Sequence, residues 1–148
     1  MIAKKVRYKG FDGQYVEEIV RLNLTKAEVL NMDLKYIDYG GLKGYYRMLI
    51  TNVKEGEPAY KPMVSFLQHV ILTAYGEKTE DGKFIKKRNG IALADEFETS
   101  EAYSELLLSL LSDEGIDQIE PLLRGIFPEF DENAVEEERK KLEAELGI

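Results

Sequence analysis

The segment from residue 100 to residue 113, SEAYSELLLSLLSD, constrains the fold of this chain more than any other stretch. On a helical wheel its apolar residues cover about 240°, whereas the apolar stripe of an ordinary surface helix covers roughly 100°. These residues are Ala102, Tyr103, Leu106, Leu107, Leu108, Leu110 and Leu111. The pattern predicts a central core helix that is buried on more than one side and capped by Thr99 or Ser100. The alternative is that part of this helix faces a partner.

A capping box predicts a helix near the N-terminus. Thr25 lies three residues before Glu28, which is the spacing at which the two side chains can each accept a backbone N–H of the other residue. We therefore expect a helix from about Lys26 to Tyr36, with Gly40 and Gly41 stopping the helical run.

Apolar periodicity predicts further helices at about 42–53, 62–75 and 113–126, and one or two helical turns in IALADEF at 91–97. Gly44 should weaken the first of these helices. Gly76 should end the second as a left-handed cap. Pro121 should bend or divide the third.

The first 22 residues predict a β-hairpin, because short alternating segments flank the turn dipeptide Asp12-Gly13. The predicted fold class is α+β, mainly α-helical: a hairpin over 4–22 followed by about six helices, the last of them exposed. We expect one globular domain over residues 1–128, helical from 25 to 128, and an acidic C-terminal helix or tail over 129–148.

The predicted tail differs in composition from the rest of the chain. Residues 131 to 145 contain seven acidic and three basic side chains and so carry −4 of the net charge of −8. Its only apolar seam is Val135, Leu142 and Leu146. Such a seam is too thin to dock firmly alone, so the segment is predicted to be an exposed helix or to be held by another subunit.

Composition argues against several classes of function. A net charge of −8 with no long basic stretch argues against binding to nucleic acid or to anionic membranes. The chain contains no Cys, and His69 is its only imidazole; on a helix His69 falls on the polar side, near the edge of the apolar face. We predict no catalytic, cofactor or metal site. The absence of an apolar signal segment predicts a soluble cytoplasmic protein.

The stretch YGEKTEDGKFIK at 75–86 raises the question of a cation site. The alternating oxygen ligands of an EF-hand loop are missing, and the residue at position 88 is Arg rather than Glu. Spacing alone leaves open a catalytic pair of carboxylates. The turn dipeptide Asp81-Gly82 favours a structural turn or a small hairpin.

Two groups of residues are candidates for protein binding. On the leucine-rich helix they are Tyr103, Leu107, Leu108 and Leu111, with the excess apolar side expected near Leu108. In the tail they are Val135, Leu142 and Leu146. Either group could contact a partner or a second copy of the chain.

The order of the segments resembles the tail assembly chaperones of long-tailed bacteriophages and prophages. The similarity is carried by VRYKGFDGQYVEEIVRLNLTKAEVLNM, GGLKGYYRMLI, FLQHVILTAYGEKTEDGKFIKK, EFETSEAYSELLLSLL and GIFP. It covers about residues 4 to 128, while the tail after Pro128 departs from the pattern.

The resemblance implies a non-enzymatic role in the host cytoplasm and absence from the mature virion. The implied partner is the tape-measure protein, a long hydrophobic helical chain that the chaperone keeps soluble until the tail tube assembles. Further implied partners are a longer frameshifted form, the major tail protein and other copies of the chain. The alternatives are a structural or minor tail protein retained in the virion, which is expected to be β-rich, and an enzyme that uses Asp or Glu as acid and base.

Overall fold

The computed structural model describes residues 1–54, 60–112, 114–127 and 140–147. The chain opens with strands β1 (Ile2–Lys9) and β2 (Tyr15–Leu22), which pair antiparallel over their full length. The turn is closed by the Gly10 N–H, which donates to the Gln14 carbonyl at 2.8 Å. The predicted hairpin around Asp12-Gly13 is therefore confirmed.

Helix α1 (Lys26–Lys35) begins with the predicted capping box. The Thr25 N–H donates to Glu28 Oε1 at 2.9 Å, and the Glu28 N–H donates to Thr25 Oγ1 at 3.2 Å. A short 3-10 turn (Ile37–Tyr39) follows and ends at Gly40, whose φ of +87° is left-handed. The expected stop at Gly40 is thus confirmed.

Helix α2 (Gly41–Lys54) occupies the predicted range, but Gly44 has a role that the sequence reading did not foresee. A Cβ at this position would lie 2.0 Å from the carbonyl oxygen of Tyr39. Real Cβ atoms are never this close to an oxygen atom, so the missing side chain is what lets α2 pack against the 3-10 turn. Gly44 lowers the helix propensity of α2 but makes this close contact between the two elements sterically allowed.

Helix α3 (Tyr60–Ala74) leads directly into strand β3 (Tyr75–Lys78), which pairs with β2 on one side and with β4 (Phe84–Ile85) on the other. The predicted left-handed cap at Gly76 is therefore wrong. Gly76 is a buried strand residue opposite Arg21. A Cβ there would lie 2.6 Å from the Ile85 carbonyl oxygen and 2.6 Å from the Phe84 ring, so close packing of β4 accounts for the glycine.

The four strands form one sheet in the order β1-β2-β3-β4, and β5 (Lys87–Arg88) pairs with β6 (Ile91–Ala92) in a second small hairpin. The turn between β3 and β4 contains Asp81-Gly82, so the predicted small hairpin is confirmed. The sheet is larger than the N-terminal hairpin alone, because β3 and β4 join it from a distant part of the chain.

Helices α4 (Leu93–Glu98) and α5 (Glu101–Leu111) follow, and Ser100 caps α5 by accepting the Tyr103 N–H at 3.2 Å. A 3-10 turn (Ile116–Gln118) precedes α6 (Ile119–Ile126). The predicted start at Asp113 lies outside the described residues. Pro121 sits in the first turn of α6, where its missing N–H breaks no helical bond.

The core is one continuous cluster of side chains that runs from Val6 to Phe127. Helix α3 is its most enclosed element, since no residue from Phe66 to Ala74 is exposed. Helix α5 buries Ala102, Tyr103, Leu106, Leu107 and Leu110, which span only about 140° of its circumference. The prediction that α5 is buried on more than one side is wrong: it buries one broad face.

The fold is α+β and mainly helical, as predicted. Among the described residues, no helix combines the length and apolar character needed to cross a membrane.

Candidate interaction surfaces

The residues predicted on α5 fall into two environments. Tyr103 and Leu107 are buried, and the ring of Tyr103 meets Phe97 edge-on at 5.5 Å between centroids. Leu111 is half-buried against the core, whereas Leu108 is 65% exposed. In this conformation only Leu108 offers a substantial apolar surface to a partner.

The neighbours of Leu108 are polar. Ser104, Glu105, Ser109 and Ser112 are all exposed on the same side of α5, so Leu108 is a single apolar residue in a polar surface. Isolated exposed leucines are common on folded proteins and carry little information about binding.

The tail seam is described only in part. Residues 140–146 are helical, and Leu142 and Leu146 are 50% and 65% exposed on this helix. Val135 lies outside the described residues. A role of the seam in binding stays a prediction.

Helix α1 carries an exposed apolar stripe that the sequence reading did not single out. Leu30, Leu34 and Ile37 are 50%, 55% and 64% exposed. Their spacing of i, i+4 and i+7 places them on one side of α1 and of the turn that follows it. We call these three residues the α1 ridge.

A second apolar stripe of α1 faces the core. Met32 and Tyr36 are buried, and Val29 is partly buried and packs against the core. The Tyr36 ring stacks on Tyr45 of α2 at 4.2 Å between centroids and meets Phe66 of α3 edge-on at 5.9 Å. The helix is therefore apolar on two sides, and only one of them is covered by the described residues of this chain.

Polar contacts hold α1 in this orientation at both ends. Near the C-terminal end, Asp33 Oδ1 accepts the Leu42 N–H at 2.9 Å. At the N-terminal end, Glu28 Oε1 meets Lys86 Nζ at 2.5 Å. The same ammonium group donates to the Thr73 carbonyl at 2.8 Å, which ties α1 to α3 through the loop after β4.

The Glu28 carboxylate accepts hydrogen bonds both from the Thr25 backbone N–H and from the Lys86 ammonium group. Partial burial opposes its charge, but the hydrogen bonds from Lys86 and from the Thr25 backbone outweigh this and lower the pKa of Glu28. The side chains of Glu28 and Lys86 are each one quarter exposed. Lys86, which belongs to the stretch that suggested a cation site, is thus a structural residue.

The tip of the β1–β2 hairpin exposes a second apolar group. Phe11 is fully exposed, and Tyr15 and Val16 beside it are also exposed. Between the tip and the start of α5 lies an open groove of about 560 Å³. It is lined by Tyr8, Gly10, Phe11, Asp12, Val16, Thr99, Ser100 and Glu101.

Little in the described residues points to catalysis or metal binding. They contain no group of three or more side chains suited to hold a metal ion. The pKa of His69 is lowered by partial burial and by nearby Lys35, which favours the neutral imidazole. Asp81 accepts a hydrogen bond from the Thr79 hydroxyl within its own turn, which is the behaviour of a turn residue.

The sequence contained a signal for the α1 ridge. Two interleaved apolar sets, 29-32-36 and 30-34-37, both fit helical spacing in the segment KAEVLNMDLKYI. The exposure of Phe11 had a weaker signal, namely an aromatic residue between two glycines in a predicted turn.

The sequence model of a family described as phage tail assembly chaperone matches residues 1–146. The chain therefore belongs to this family, and the resemblance seen in the sequence is confirmed. Searches of curated proteins and of solved structures gave no match.

Proposed function

We propose that this phage tail assembly chaperone binds the tape-measure protein and keeps it soluble in the host cytoplasm until the tail tube assembles. The proposal rests on family membership and on what the resemblance implies about the client. It is a binding role rather than a catalytic one. The protein is expected to leave before the virion is complete.

The observation that carries the proposal is the α1 ridge. A long apolar helix in water aggregates unless its apolar face is covered. A helical stripe with i, i+4 and i+7 spacing can pack alongside such a helix, as in other helix-in-groove contacts. Among the described residues, Leu30, Leu34 and Ile37 form the only exposed apolar stripe of three residues with this spacing. We therefore assign the client contact to the α1 ridge.

The contribution of the α1 ridge to the binding free energy can be estimated from the exposed area of its leucines. Complete burial of a leucine contributes roughly 1.5–3 kcal/mol, and about half of each ridge leucine is still exposed. Covering Leu30 and Leu34 together should contribute about 1.5–3 kcal/mol, which corresponds to roughly a 10- to 100-fold change in affinity.

The test is co-expression of the chain with a tape-measure fragment, followed by affinity capture and measurement of the soluble fraction. The double variant Leu30→Gln with Leu34→Gln should fold, because both side chains are exposed and Gln favours helix. It should lose most of its client binding. The control is Leu108→Gln, which replaces a leucine on α5 that is more exposed than either ridge leucine.

The possible outcomes distinguish an error in the assigned binding surface from an error in the proposed function. Loss of binding in the Leu108 variant alone would place the client on α5 and refute the role of the ridge. Failure of the unmodified chain to bind or solubilise the fragment would refute the proposed function itself. Detection of the protein in purified virions by mass spectrometry would instead favour a structural tail component.

A further inference from the structure

We propose that the outer face of the β-sheet, which gathers basic side chains on an otherwise acidic chain, is a docking surface for an acidic segment of another protein. This surface is formed by strands and does not include the α1 ridge. The inference therefore does not depend on how the tape-measure protein is bound. It follows from the register of the strands, which decides which side chains share a face.

The sheet has one face on the core and one face away from it. Val6, Val20 and Leu22 are buried, so the residues that alternate with them along β1 and β2 lie on the other face. Arg21 of β2 pairs with Gly76 of β3, and this second face therefore continues onto β3. We call it the outer sheet face. Its charged residues are Lys5, Arg7, Lys9, Glu17, Arg21 and Lys78.

The charge of the outer sheet face is opposite in sign to that of the chain. Five of its six charged residues are basic, which gives this face a net charge of +4. The whole chain has 28 acidic and 20 basic residues and a net charge of −8. The remainder of the molecule is therefore even more acidic than the net charge indicates, and the basic groups are concentrated on one side of the sheet.

Contacts within the chain neutralise these basic groups only in part. Lys5 Nζ lies 3.2 Å from a carboxylate oxygen of Glu17. The Arg7 guanidinium lies over the Tyr15 ring, 4.5 Å from its centroid, and this contact leaves its charge in place. The other basic residues of the face have no ion-pair partner among the described residues: Lys9, Arg21 and Lys78.

The position of β1 at the edge of the sheet accounts for some of these residues. Lysines on an edge strand hinder unwanted strand pairing between molecules, and Lys5 and Lys9 lie on such a strand. This explanation does not extend to Arg21 and Lys78, because β2 and β3 are inner strands of the sheet. Like charges on neighbouring strands repel one another, and acidic groups of a partner would remove this repulsion.

The outer sheet face also offers apolar surface to a partner. Tyr15 and Ile19 of β2 are 66% and 56% exposed, and each pairs with a lysine of β1. An occupant that carries both acidic and apolar side chains would therefore match the face better than a purely charged one. Exposed aromatic and aliphatic side chains of this kind are typical anchors of protein interfaces.

Charge and size favour an acidic protein segment over other occupants. An isologous dimer through this face would bring basic groups onto basic groups. Nucleic acids and anionic membranes are extended polyanions, so beyond the face they would meet the acidic remainder of the chain. A short acidic segment can stay within the face, since the 8 residues of β1 span about 26 Å.

The first experiment measures peptide binding to the full chain by fluorescence anisotropy at low salt. The probe is a fluorescein-labelled peptide of about ten residues in which Glu and Val alternate, long enough to span the face. It should bind, whereas the same peptide with Lys in place of Glu should not. Equal binding of the two peptides, or no binding of either, would overturn the proposal.

Charge reversal then locates the site. Lys9→Glu with Lys78→Glu should raise the dissociation constant of the acidic peptide by at least about 10-fold. The matched control is Lys61→Glu with Lys140→Glu, which makes the same change in net charge at exposed helical residues and should change it less than about twofold. An equal loss in both pairs would refute the site. Thermal unfolding checks the fold, and Lys9→Gln with Lys78→Gln, which is milder, should weaken binding in the same direction.

The apolar contact and the nature of the occupant are tested separately. Ile19→Thr should weaken binding of the acidic peptide about 3- to 10-fold, whereas Ile91→Thr, at an exposed isoleucine of β6, should leave it unchanged. No effect of Ile19→Thr would refute the apolar contact. Tighter binding of a single-stranded oligonucleotide or of phosphatidylserine vesicles than of the peptide would overturn the choice of occupant. So would a dimer, seen by sedimentation velocity, that Lys9→Glu with Lys78→Glu dissociates.

Discussion

Replacing Lys86 by Met should destabilise the fold far more than replacing a lysine on the surface. The ammonium group makes two close contacts, to Glu28 at 2.5 Å and to the Thr73 carbonyl at 2.8 Å. Hydrogen bonds to charged groups contribute about 1.5–3 kcal/mol, and breaking a fully buried ion pair costs about 3–5 kcal/mol. Because the pair is one quarter exposed, we expect a loss of about 2–3 kcal/mol.

The assay is urea unfolding monitored by far-ultraviolet circular dichroism. The slope of the unfolding free energy against urea concentration should stay unchanged. Lys83→Met is the matched control, because Lys83 is largely exposed and lies 3.8 Å from Asp81; it should change stability by less than about 0.5 kcal/mol. Glu28→Gln isolates the ion pair, since Gln can still complete the capping box. A double-mutant cycle of the two positions should give a coupling of about 1–2 kcal/mol. A loss for Lys86→Met as small as that for Lys83→Met would refute the reasoning.

Two further predictions concern stability. The pKa of Glu28 is lowered in the folded state, so its contribution is complete above the unfolded pKa of about 4.3 and is lost as the pH falls through the folded value. The stability difference between the unmodified chain and Glu28→Gln should therefore shrink in urea titrations below about pH 4; a constant difference would contradict this. Gly44→Ala should cost about 2–4 kcal/mol, because its Cβ would meet the Tyr39 carbonyl. Gly82→Ala, in open space at a φ of +83°, should cost only about 1–2 kcal/mol by the same unfolding assay.

Local signals in the sequence predicted local structure well. The capping box of Thr25 and Glu28, the Asp12-Gly13 turn and the cap of α5 each depend on atoms within a few residues of one another. All the contacts that stabilise these features lie within one turn or one helix end. A short stretch of sequence is therefore enough to predict them.

Features that depend on distant parts of the chain were missed. Gly76 follows a helix and looks like a cap, but strand pairing with Arg21 and the approach of Phe84 decide its conformation. Gly44 must be a glycine because a Cβ at this position would clash with the carbonyl oxygen of Tyr39. The sequence shows which residues of α5 are apolar. Which of them face α3 and β1 depends on how these elements pack together.

The α1 ridge illustrates the same limit and also explains why it can serve as a contact surface. Helix α1 has two apolar stripes, and the sequence alone does not show which of them packs against the core. In the structure, three contacts that fix α1 involve the buried stripe or the turns at the helix ends: Tyr36 on Tyr45, Asp33 on the Leu42 N–H, and Glu28 on Lys86. None of them involves Leu30 or Leu34. Substitutions on the ridge should therefore change partner binding with little effect on folding, whereas substitutions at Met32 or Lys86 should change the free energy of unfolding first.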